Sequence, residues 1–425
     1  MKKLLLMLLA VAGMVCTASA EYKVYFKPGS AWGDSDAKFA LYMFTNGDGG
    51  DNEWVAFTAV DDHSGYYQAT FKSTYTSGMI IARFNPSATS YDFSDSNMWG
   101  KSADLPVPTS DVYYDFSSLS SVNSGNDTGT MHNLSVSWIV SGSHQITPEA
   151  YEWGTGSTTY LSTTDKITYT LAISNKPIKA GTYYFKFVGG GSDWIGDNGG
   201  DSNISLAIAN DGNYTLTYTF DALNRTGNCV ASDYVANSNL SYKYFVYDGE
   251  AKPLTGKDWW ENEMTVTEGT ASFTVNNVNV NAGTYGYKIV EQLYDGETAA
   301  YTYWPYNSDN STEGTYQYYW LTDALSNRCY DLTFNYSISS STPGFTASAI
   351  TTGYYFIINN GSSWRVGDRL TETSTNVWTG TISNMANGYF AILPGANLAV
   401  WEGNNNDSWT SVIRPSGSEA DKTIN

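Results

Sequence analysis

The chain has 425 residues, with 42 acidic against 22 basic side chains and a formal net charge of −20 at pH 7. This charge excludes nucleic acid, anionic lipid and acidic polysaccharide as favoured partners, because their negative groups need clusters of Lys and Arg. Aromatic residues make up 15% of the chain and there are 39 glycines, a composition typical of short strands joined by turns. At about 100–200 residues per domain, we expect an all-β chain of several domains that binds a neutral ligand.

The first 20 residues, MKKLLLMLLAVAGMVCTASA, have the lysines, apolar core and small-residue end of a secretory signal peptide. We expect cleavage near Ala20 and a secreted or cell-surface protein. The apolar stretch is too short for a membrane span, and nothing later approaches the roughly 18 apolar residues that a span needs. A lipid anchor at Cys16 is the alternative, although Val15 stands where a lipoprotein signal favours a small residue.

Two central stretches repeat one pattern. AGTYYFKFVGGGSDW (180–194) and AGTYGYKIV (282–290) share Ala-Gly-Thr-Tyr, an aromatic residue, a lysine and a valine. Similar strands precede and follow both stretches, so we predict two copies of one β-sandwich domain, at 135–232 and 240–350.

The flanking regions form a second pair. SGMIIARFNPSATSYDFSDSNMWGKSADLPVP (77–108) is similar to ANGYFAILPGANLAVWEGNNNDSWTSVIRPSG (386–417). This similarity predicts outer domains at 21–118 and 351–417, the second one shorter. The polar run SSLSSVNSGNDTGTMHN (117–133) has the composition of a flexible linker. The predicted fold is therefore four tandem immunoglobulin-like β-sandwich modules behind a signal peptide at 1–20.

The repeated lysine lies on a strand with a two-residue period. Tyr183, Phe185 and Phe187 share one face and suit a core, so Lys186 points outward. A solvated lysine on an exposed sheet face is the ordinary interpretation. The second copy at Lys288 and the Trp that follows each lysine favour a functional one. Counting five residues past the strand-opening glycine also gives Arg83 in the first domain, but Leu393 in the last.

Tryptophan and lysine together suit the recognition of a neutral sugar. An indole ring covers the apolar face of a pyranose, and an ammonium donates hydrogen bonds to neighbouring hydroxyls. The second domain then offers Trp153, Lys186 and Trp194. The third domain offers Lys288 and Trp304 together with Trp259 or Trp260.

The stretch AGTYYFKFVGGGSDWIGDNG resembles the strand-and-turn signature of starch- and glycogen-binding β-sandwich modules, in which the Lys and the Trp contact glucose units. The resemblance implies these roles for Lys186, Trp194 and Trp153, and less securely for Lys288, Trp304 and Trp260. The first domain resembles starch-binding modules in secreted proteins of glycan-foraging Gram-negative bacteria through VYFKPGSAWGDSDAKFALYMF, EWVAFTAVDDHSGYYQATF and RFNPSAT…MWGKSADLPVP. The remaining candidate residues are Trp32, Trp54, Arg83 and Trp99 in the first domain, and Trp364 and Trp401 beside the VWEGNNN turn of the last.

These features predict a non-catalytic, multivalent binder of a neutral polysaccharide, with starch or a related α-glucan favoured by the resemblance. A structural or adhesive surface protein built of β-sandwich spacers is the alternative. No cofactor and no metal are expected, since the three histidines are scattered. The tandem layout resembles that of surface starch-capture proteins, which adds a surface glycan-uptake complex as an expected partner. Cys229 and Cys329 could form a disulfide or remain separate thiols.

Overall fold

The computed structural model describes residues 20–33, 36–46, 50–94, 96–148, 153–303, 320–326, 328–359, 363–375, 377–382, 388–403, 412–413 and 422–424. It confirms the predicted all-β class, because strands dominate and the described helices are short. Most strand pairs are antiparallel. Among the described residues, no helix has both the length and the apolar character needed to cross a membrane. The predicted signal peptide, the alternative anchor at Cys16 and the candidate Trp304 lie outside the described residues.

The strands fall into consecutive groups, which we call unit one (21–133), unit two (138–236), unit three (240–349) and unit four (354–424). Unit one has two facing sheets, ordered β4-β5-β1-β8-β9 and β3-β2-β6-β7. A short helix α1, Gly29–Gly33, follows β1. The strands are β1 Glu21–Lys27, β2 Lys38–Phe44, β3 Asn52–Ala56, β4 Thr58–Ala59, β5 Tyr67–Lys72, β6 Gly78–Phe84, β7 Met98–Lys101, β8 Val112–Asp115 and β9 Thr130–Asn133.

Unit two also has two sheets. In the first, β12 is central: β10 lies on one side, and β13 and β14 share the other. The second sheet has the order β11-β15-β16. The strands are β10 Trp138–Gly142, β11 Thr168–Ile178, β12 Gly181–Gly189, β13 Asp193–Ile195, β14 Ile204–Ile208, β15 Gly212–Asp221 and β16 Thr226–Ala236.

Unit three repeats this layout. Its β20 is central, with β17 on one side and β21 and β22 on the other, and it faces the sheet β18-β19-β23-β24. A 3₁₀ turn at Trp259–Glu261 follows β17. The strands are β17 Leu240–Tyr247, β18 Thr265–Thr267, β19 Thr270–Val280, β20 Gly286–Asp295, β21 Thr298–Tyr303, β22 Trp320–Leu321, β23 Arg328–Ser337 and β24 Thr342–Ala349.

Unit four has one described four-stranded sheet, β26-β25-β29-β30, and a hairpin of β27 and β28. Helix α2, Leu398–Gly403, follows β29. The strands are β25 Tyr354–Asn359, β26 Trp364–Arg369, β27 Thr371–Ser374, β28 Val377–Thr379, β29 Gly388–Pro394 and β30 Lys422–Ile424.

The core of unit two lies between its sheets and continues into unit one. Phe185, Phe187 and Phe220 are fully buried there, and Trp138 packs on Phe220 with ring centroids 4.1 Å apart. Tyr66 of unit one belongs to the same cluster. Units one and two therefore share a hydrophobic core, and they are more firmly connected than two domains joined only by a linker.

The prediction of a flexible linker at 117–133 is wrong. Residues Thr130–Asn133 form β9, which pairs with β8 at the edge of a unit-one sheet. The carboxylate of Asp127 is buried and accepts hydrogen bonds from the Trp32 indole at 2.9 Å and from the Asn123 amide at 2.9 Å. This polar segment is ordered because its carboxylate satisfies a buried indole N–H, which composition alone does not show.

The two cysteines left after the predicted cleavage are separate thiols. Cys229 is half-buried in β16, and Cys329 is buried in β23 of another unit. Burial raises the pKa of Cys229 to about 12 and that of Cys329 to about 11. The two side chains therefore behave as small core residues.

Asp127→Ala should destabilise unit one by about 1–3 kcal/mol, because it leaves the buried Trp32 indole without its acceptor. The measurement is urea unfolding of the mature chain, followed by tryptophan fluorescence. Asp104→Ala, at an exposed position of the same unit, is the matched control and should leave the midpoint unchanged. Equal midpoints for the two variants would show that the Asp127–Trp32 hydrogen bond does not support the fold.

Candidate functional site

The outer face of the central sheet in unit two carries the first candidate site. Alternation along β12 buries Tyr183, Phe185 and Phe187 in the core, as the sequence predicts. Lys186 is therefore on the opposite, outer face and is half-buried. This confirms the predicted orientation of the lysine.

The sheet register brings Trp194 close to Lys186. Trp194 on β13 is directly opposite Val188 on β12, so it is the diagonal neighbour of Lys186 on the same face, within reach of a long side chain. On the other side, Ser141 of β10 is directly opposite Lys186. Ile139 and Val188 of this face are buried, so part of the face is covered.

Two polar groups on this face have no protein partner. Within the described ranges, the Lys186 ammonium makes no hydrogen bond or ion pair, and the buried Ser141 hydroxyl has no hydrogen-bond partner. A buried hydroxyl without a partner costs about 1–3 kcal/mol. The half-buried Lys186 ammonium can therefore gain hydrogen bonds from a hydroxylated ligand or from water, whereas the Ser141 hydroxyl is enclosed in this conformation.

The backbone of Trp153 lies beside Gly142, the last residue of β10. Its amide donates to the carbonyl oxygen of Gly142 at 3.4 Å, next to the Ser141–Lys186 pair. Its φ of 50° is left-handed, a conformation that is strained for a bulky residue and that concentrates at functional positions. The indole is 38% exposed. The Trp153 backbone thus adjoins the Ser141–Lys186 pair, and we call Trp153, Lys186, Trp194 and Ser141 the unit-two face.

In unit three the repeated lysine has the same place in the sheet as in unit two, but it is buried. Lys288 is opposite Tyr247, as Lys186 is opposite Ser141. Lys288 is only 4% exposed, and burial lowers its pKa from the ordinary value of 10.5 to about 8. The prediction of Lys288 as a surface donor is therefore wrong, because its side chain is taken out of solvent; a large Tyr247 stands opposite it where unit two has the small Ser141.

An exposed indole nevertheless lies near this face of unit three. Trp259 packs edge-on against Phe245 of β17 at 5.5 Å. Trp260 packs edge-on against Trp259 at 5.8 Å and is 59% exposed. Of the residues predicted for this unit, Trp260 is thus the one the structure describes as available to a ligand.

The matched cation in unit one lies on the other face of its strand. Arg83 of β6 is opposite Phe39, a core residue, and Leu393 of unit four is opposite the buried Tyr355. The residue five positions after the strand-opening glycine thus lies on the core face in units one and four, and on the outer face in units two and three. The correspondence of Arg83 with Lys186 is wrong.

Three of the predicted sugar-contacting residues are structural instead. Trp32 and Trp401 have no exposed surface, so neither ring can contact a ligand in this conformation. Arg83 is 9% exposed, and its Nε donates to the carbonyl oxygen of Trp32 at 2.7 Å. Trp99 is 40% exposed, and its ring centroid lies 4.9 Å from the Arg83 guanidinium, so one side of the ring makes a cation–π contact within the protein. Trp364 is half-buried against the core that contains Trp401.

The outer face of the sheet β3-β2-β6-β7 in unit one carries a second candidate site. The rings of Tyr42, Trp54 and Phe93 form a triangle in which every centroid separation is 4.8 Å. Tyr42 and Trp54 are cross-strand neighbours, and Phe93 comes from the segment between β6 and β7. The Lys101 ammonium on β7 lies 5.2 Å from the Phe93 ring. We call these four residues the unit-one platform.

An open depression adjoins the platform. It has a volume of about 370 Å³, and Tyr42, Phe93 and Lys101 line one part of it. The polar residues Asn46, Asp51, Asn52 and Asp104 also line it, together with Phe44 and Ile80. The exposed Phe93 ring beside hydrogen-bonding groups is an arrangement that suits a hydroxylated ring with apolar faces.

Trp54 was predicted from the sequence, but Tyr42, Phe93 and Lys101 were missed. The strand KFALYMF contains a signal that could have found Tyr42. Its two-residue period puts Phe39, Leu41 and Met43 in the core and therefore places Tyr42 outside. Phe93 has no such signal, because it lies outside any strand.

The described residues hold no cluster of three or more His, Cys, Asp or Glu side chains that could hold a metal ion. No protein-family model matches the chain, and no curated protein is significantly similar to it. The chemistry of the two faces therefore has to be argued from their own residues.

Lys288→Met should increase the free energy of unfolding at pH 7. The unfolded chain keeps this proton up to about pH 10.5 and the folded chain only up to about pH 8, so the lysine destabilises the fold most below pH 8 and progressively less as the pH rises to 10.5. The advantage of the variant should disappear over that range in urea unfolding experiments. Lys257→Met, at an exposed position, controls for the loss of one charge. A gain that persists at pH 10.5 would contradict the burial of the ammonium.

Proposed function

We propose that this protein binds a neutral polysaccharide at more than one of its units and catalyses no reaction on it. The observation that carries the proposal is the unit-one platform, where three rings meet 4.8 Å apart beside an ammonium and an open depression. The rings are inclined to one another by 45–80°, so the exposed Phe93 is the ring that can cover the apolar face of a sugar with little loss of side-chain entropy. The unit-two face supports the proposal with a half-buried lysine that has no partner among the described residues.

An α-glucan such as starch is the proposed ligand. The net charge of −20 disfavours acidic polysaccharides. The resemblance of the strand around Lys186 to starch- and glycogen-binding modules then favours α-linked glucose over other neutral sugars. We place the protein outside the cytoplasm, secreted or at the cell surface after export by the signal peptide, where a surface glycan-uptake complex is its proposed partner.

A structural or adhesive role is the second candidate. Fully buried Trp32 and Trp401 show that part of the tryptophan content serves cores, as spacer domains require. Trp153 at 38% and Trp260 at 59% exposure have no need to be exposed in a spacer, and they favour sugar binding.

Phe93→Ala should weaken retention on the polysaccharide about five- to thirtyfold, because truncating a central aromatic contact costs about 1–2 kcal/mol. The measurement is electrophoresis of the mature chain in native gels containing amylose, pullulan, dextran or xylan. Tyr160→Ala, an exposed aromatic residue of unit two (55% exposed), is the matched control. Retardation of the wild-type chain by none of these polymers would rule out the proposed ligand class.

Disabling both faces should cost more than disabling either one. A single shallow face should bind with a Kd of about 0.01–1 mM, or roughly −4 to −7 kcal/mol. Because units one and two share a core, a second face adds to retention where the fixed geometry lets one polysaccharide chain reach both faces. We expect Lys186→Ala with Trp194→Ala, added to Phe93→Ala, to abolish retention on insoluble starch.

The control for this experiment is a soluble maltooligosaccharide too short to reach both faces. Its affinity for either intact face should not depend on the other face. Retention on insoluble starch that is unchanged by any of these substitutions would contradict multivalent binding.

A further inference from the structure

A loop of unit two connects unit one to the strand that carries Trp194. The loop after β15 enters unit one, where Leu223 is buried and its carbonyl oxygen accepts a hydrogen bond from the Tyr66 hydroxyl at 2.9 Å. The carboxylate of Asp221 braces this loop by accepting from the amides of Leu223 and Asn224, each at 2.9 Å. Arg225 is next in the chain, with a left-handed φ of 54°.

Arg225 links three elements. Its guanidinium donates two hydrogen bonds to the Asp193 carboxylate, at 2.6 and 2.9 Å. It also donates to Nδ1 of His132 at 3.2 Å. Asp193 is the first residue of β13 and immediately precedes Trp194, whereas His132 belongs to β9 of unit one. One side chain therefore connects unit one to the start of the strand that places Trp194 on the unit-two face.

The hydrogen bond to Arg225 defines the protonation state of His132. A guanidinium can only donate, so Nδ1 of His132 must accept, and the ring must be neutral with its proton on Nε2. The ring also stacks on Tyr113, with centroids 5.4 Å apart and planes at 22°. Burial, followed by the Arg225 charge, lowers the pKa of His132 below its ordinary value of 6.5.

We propose that Arg225 is a positioning residue for Trp194, and that protonation of His132 breaks the contacts of Arg225 with His132 and Asp193. We call these contacts the joint. An imidazolium would direct an N–H at the Arg225 donor and would place two cations in contact. Arg225 would then leave its position, Asp193 would lose its bidentate partner, and the start of β13 would loosen. Because the docked state binds the proton less readily than the released state, the joint is intact above pH 6.5 and weakens as the pH falls below it.

Other charges around His132 affect this balance. Asp193 and Asp115 attract a proton to His132, but burial and Arg225 outweigh them. At another point of the same interface, His63 has Nδ1 3.2 Å from the Asp61 carbonyl oxygen and Nε2 3.0 Å from the Asp221 carboxylate. The two units also share the core around Tyr66 and Leu223, so loss of the Arg225 contacts should loosen β13 without separating the units.

The test uses nuclear magnetic resonance of the mature chain, with histidine rings and tryptophan indoles isotopically labelled. The chain has only three histidines, so His132→Gln and Trp194→Phe assign the relevant signals. We expect the Trp194 indole signal to titrate with the same midpoint as His132, below pH 6.5. In Arg225→Gln the midpoint of His132 should rise, and the Trp194 signal should no longer follow it. His144→Gln, whose ring contacts Glu291 of unit three, is the matched control and should leave both signals unchanged.

The consequence for ligand binding rests on the proposed function and forms a separate arm. Affinity for a soluble maltooligosaccharide should fall about fivefold between pH 7.5 and 5.5, at the lower end of ordinary coupling between sites, and His132→Gln should remove this dependence. Independent titration of Trp194 and His132, or a Trp194 signal insensitive to Arg225→Gln, would overturn the inference. Coincident titration without sugar binding at any pH would instead support the joint and overturn the proposed function.

Discussion

Both candidate sites depend on the two-residue period of the β-strand, because that period decides which side chains of a central strand reach the core. In β12 it buries three aromatic residues and leaves Lys186 outside. In β2 it buries Phe39, Leu41 and Met43 and leaves Tyr42 beside Trp54. The core is thus built by one half of each strand, and the other half is available for ligand recognition.

The sequence was sufficient for the strand class and for the direction of a side chain, but not for its exposure. The orientation of Lys186 followed from local alternation. The burial of Lys288 did not, because tertiary packing decides exposure and the alternation within one strand does not report it. The wrong correspondence of Arg83 has a similar origin, since a fixed count along the chain does not reveal which face a strand turns to the core. Phe93 joins the platform only through tertiary contact, which no local pattern reports.

The contact between units one and two changes how multivalency should be understood. A flexible linker would let the two sites move independently and reach one polysaccharide chain in many arrangements. Here Leu223 and Tyr66 lie in one shared core. The hydrogen bond between Asp127 and the Trp32 indole fixes the segment that was predicted to be a linker. The benefit of a second site then depends on whether the fixed geometry matches the path of the polysaccharide, more than on linker length. The loop at this contact also holds Arg225, which binds Asp193 at the start of β13. The contact between the units therefore helps to position Trp194.

The most direct test of sugar recognition by these outer sheet faces is a crystal structure of the mature chain with a maltooligosaccharide. We predict a glucose ring stacked on the exposed Phe93 of the unit-one platform, and hydroxyls within hydrogen-bond distance of the Lys186 ammonium beside Trp194. A saccharide bound elsewhere, with both faces empty at saturating ligand, would contradict it.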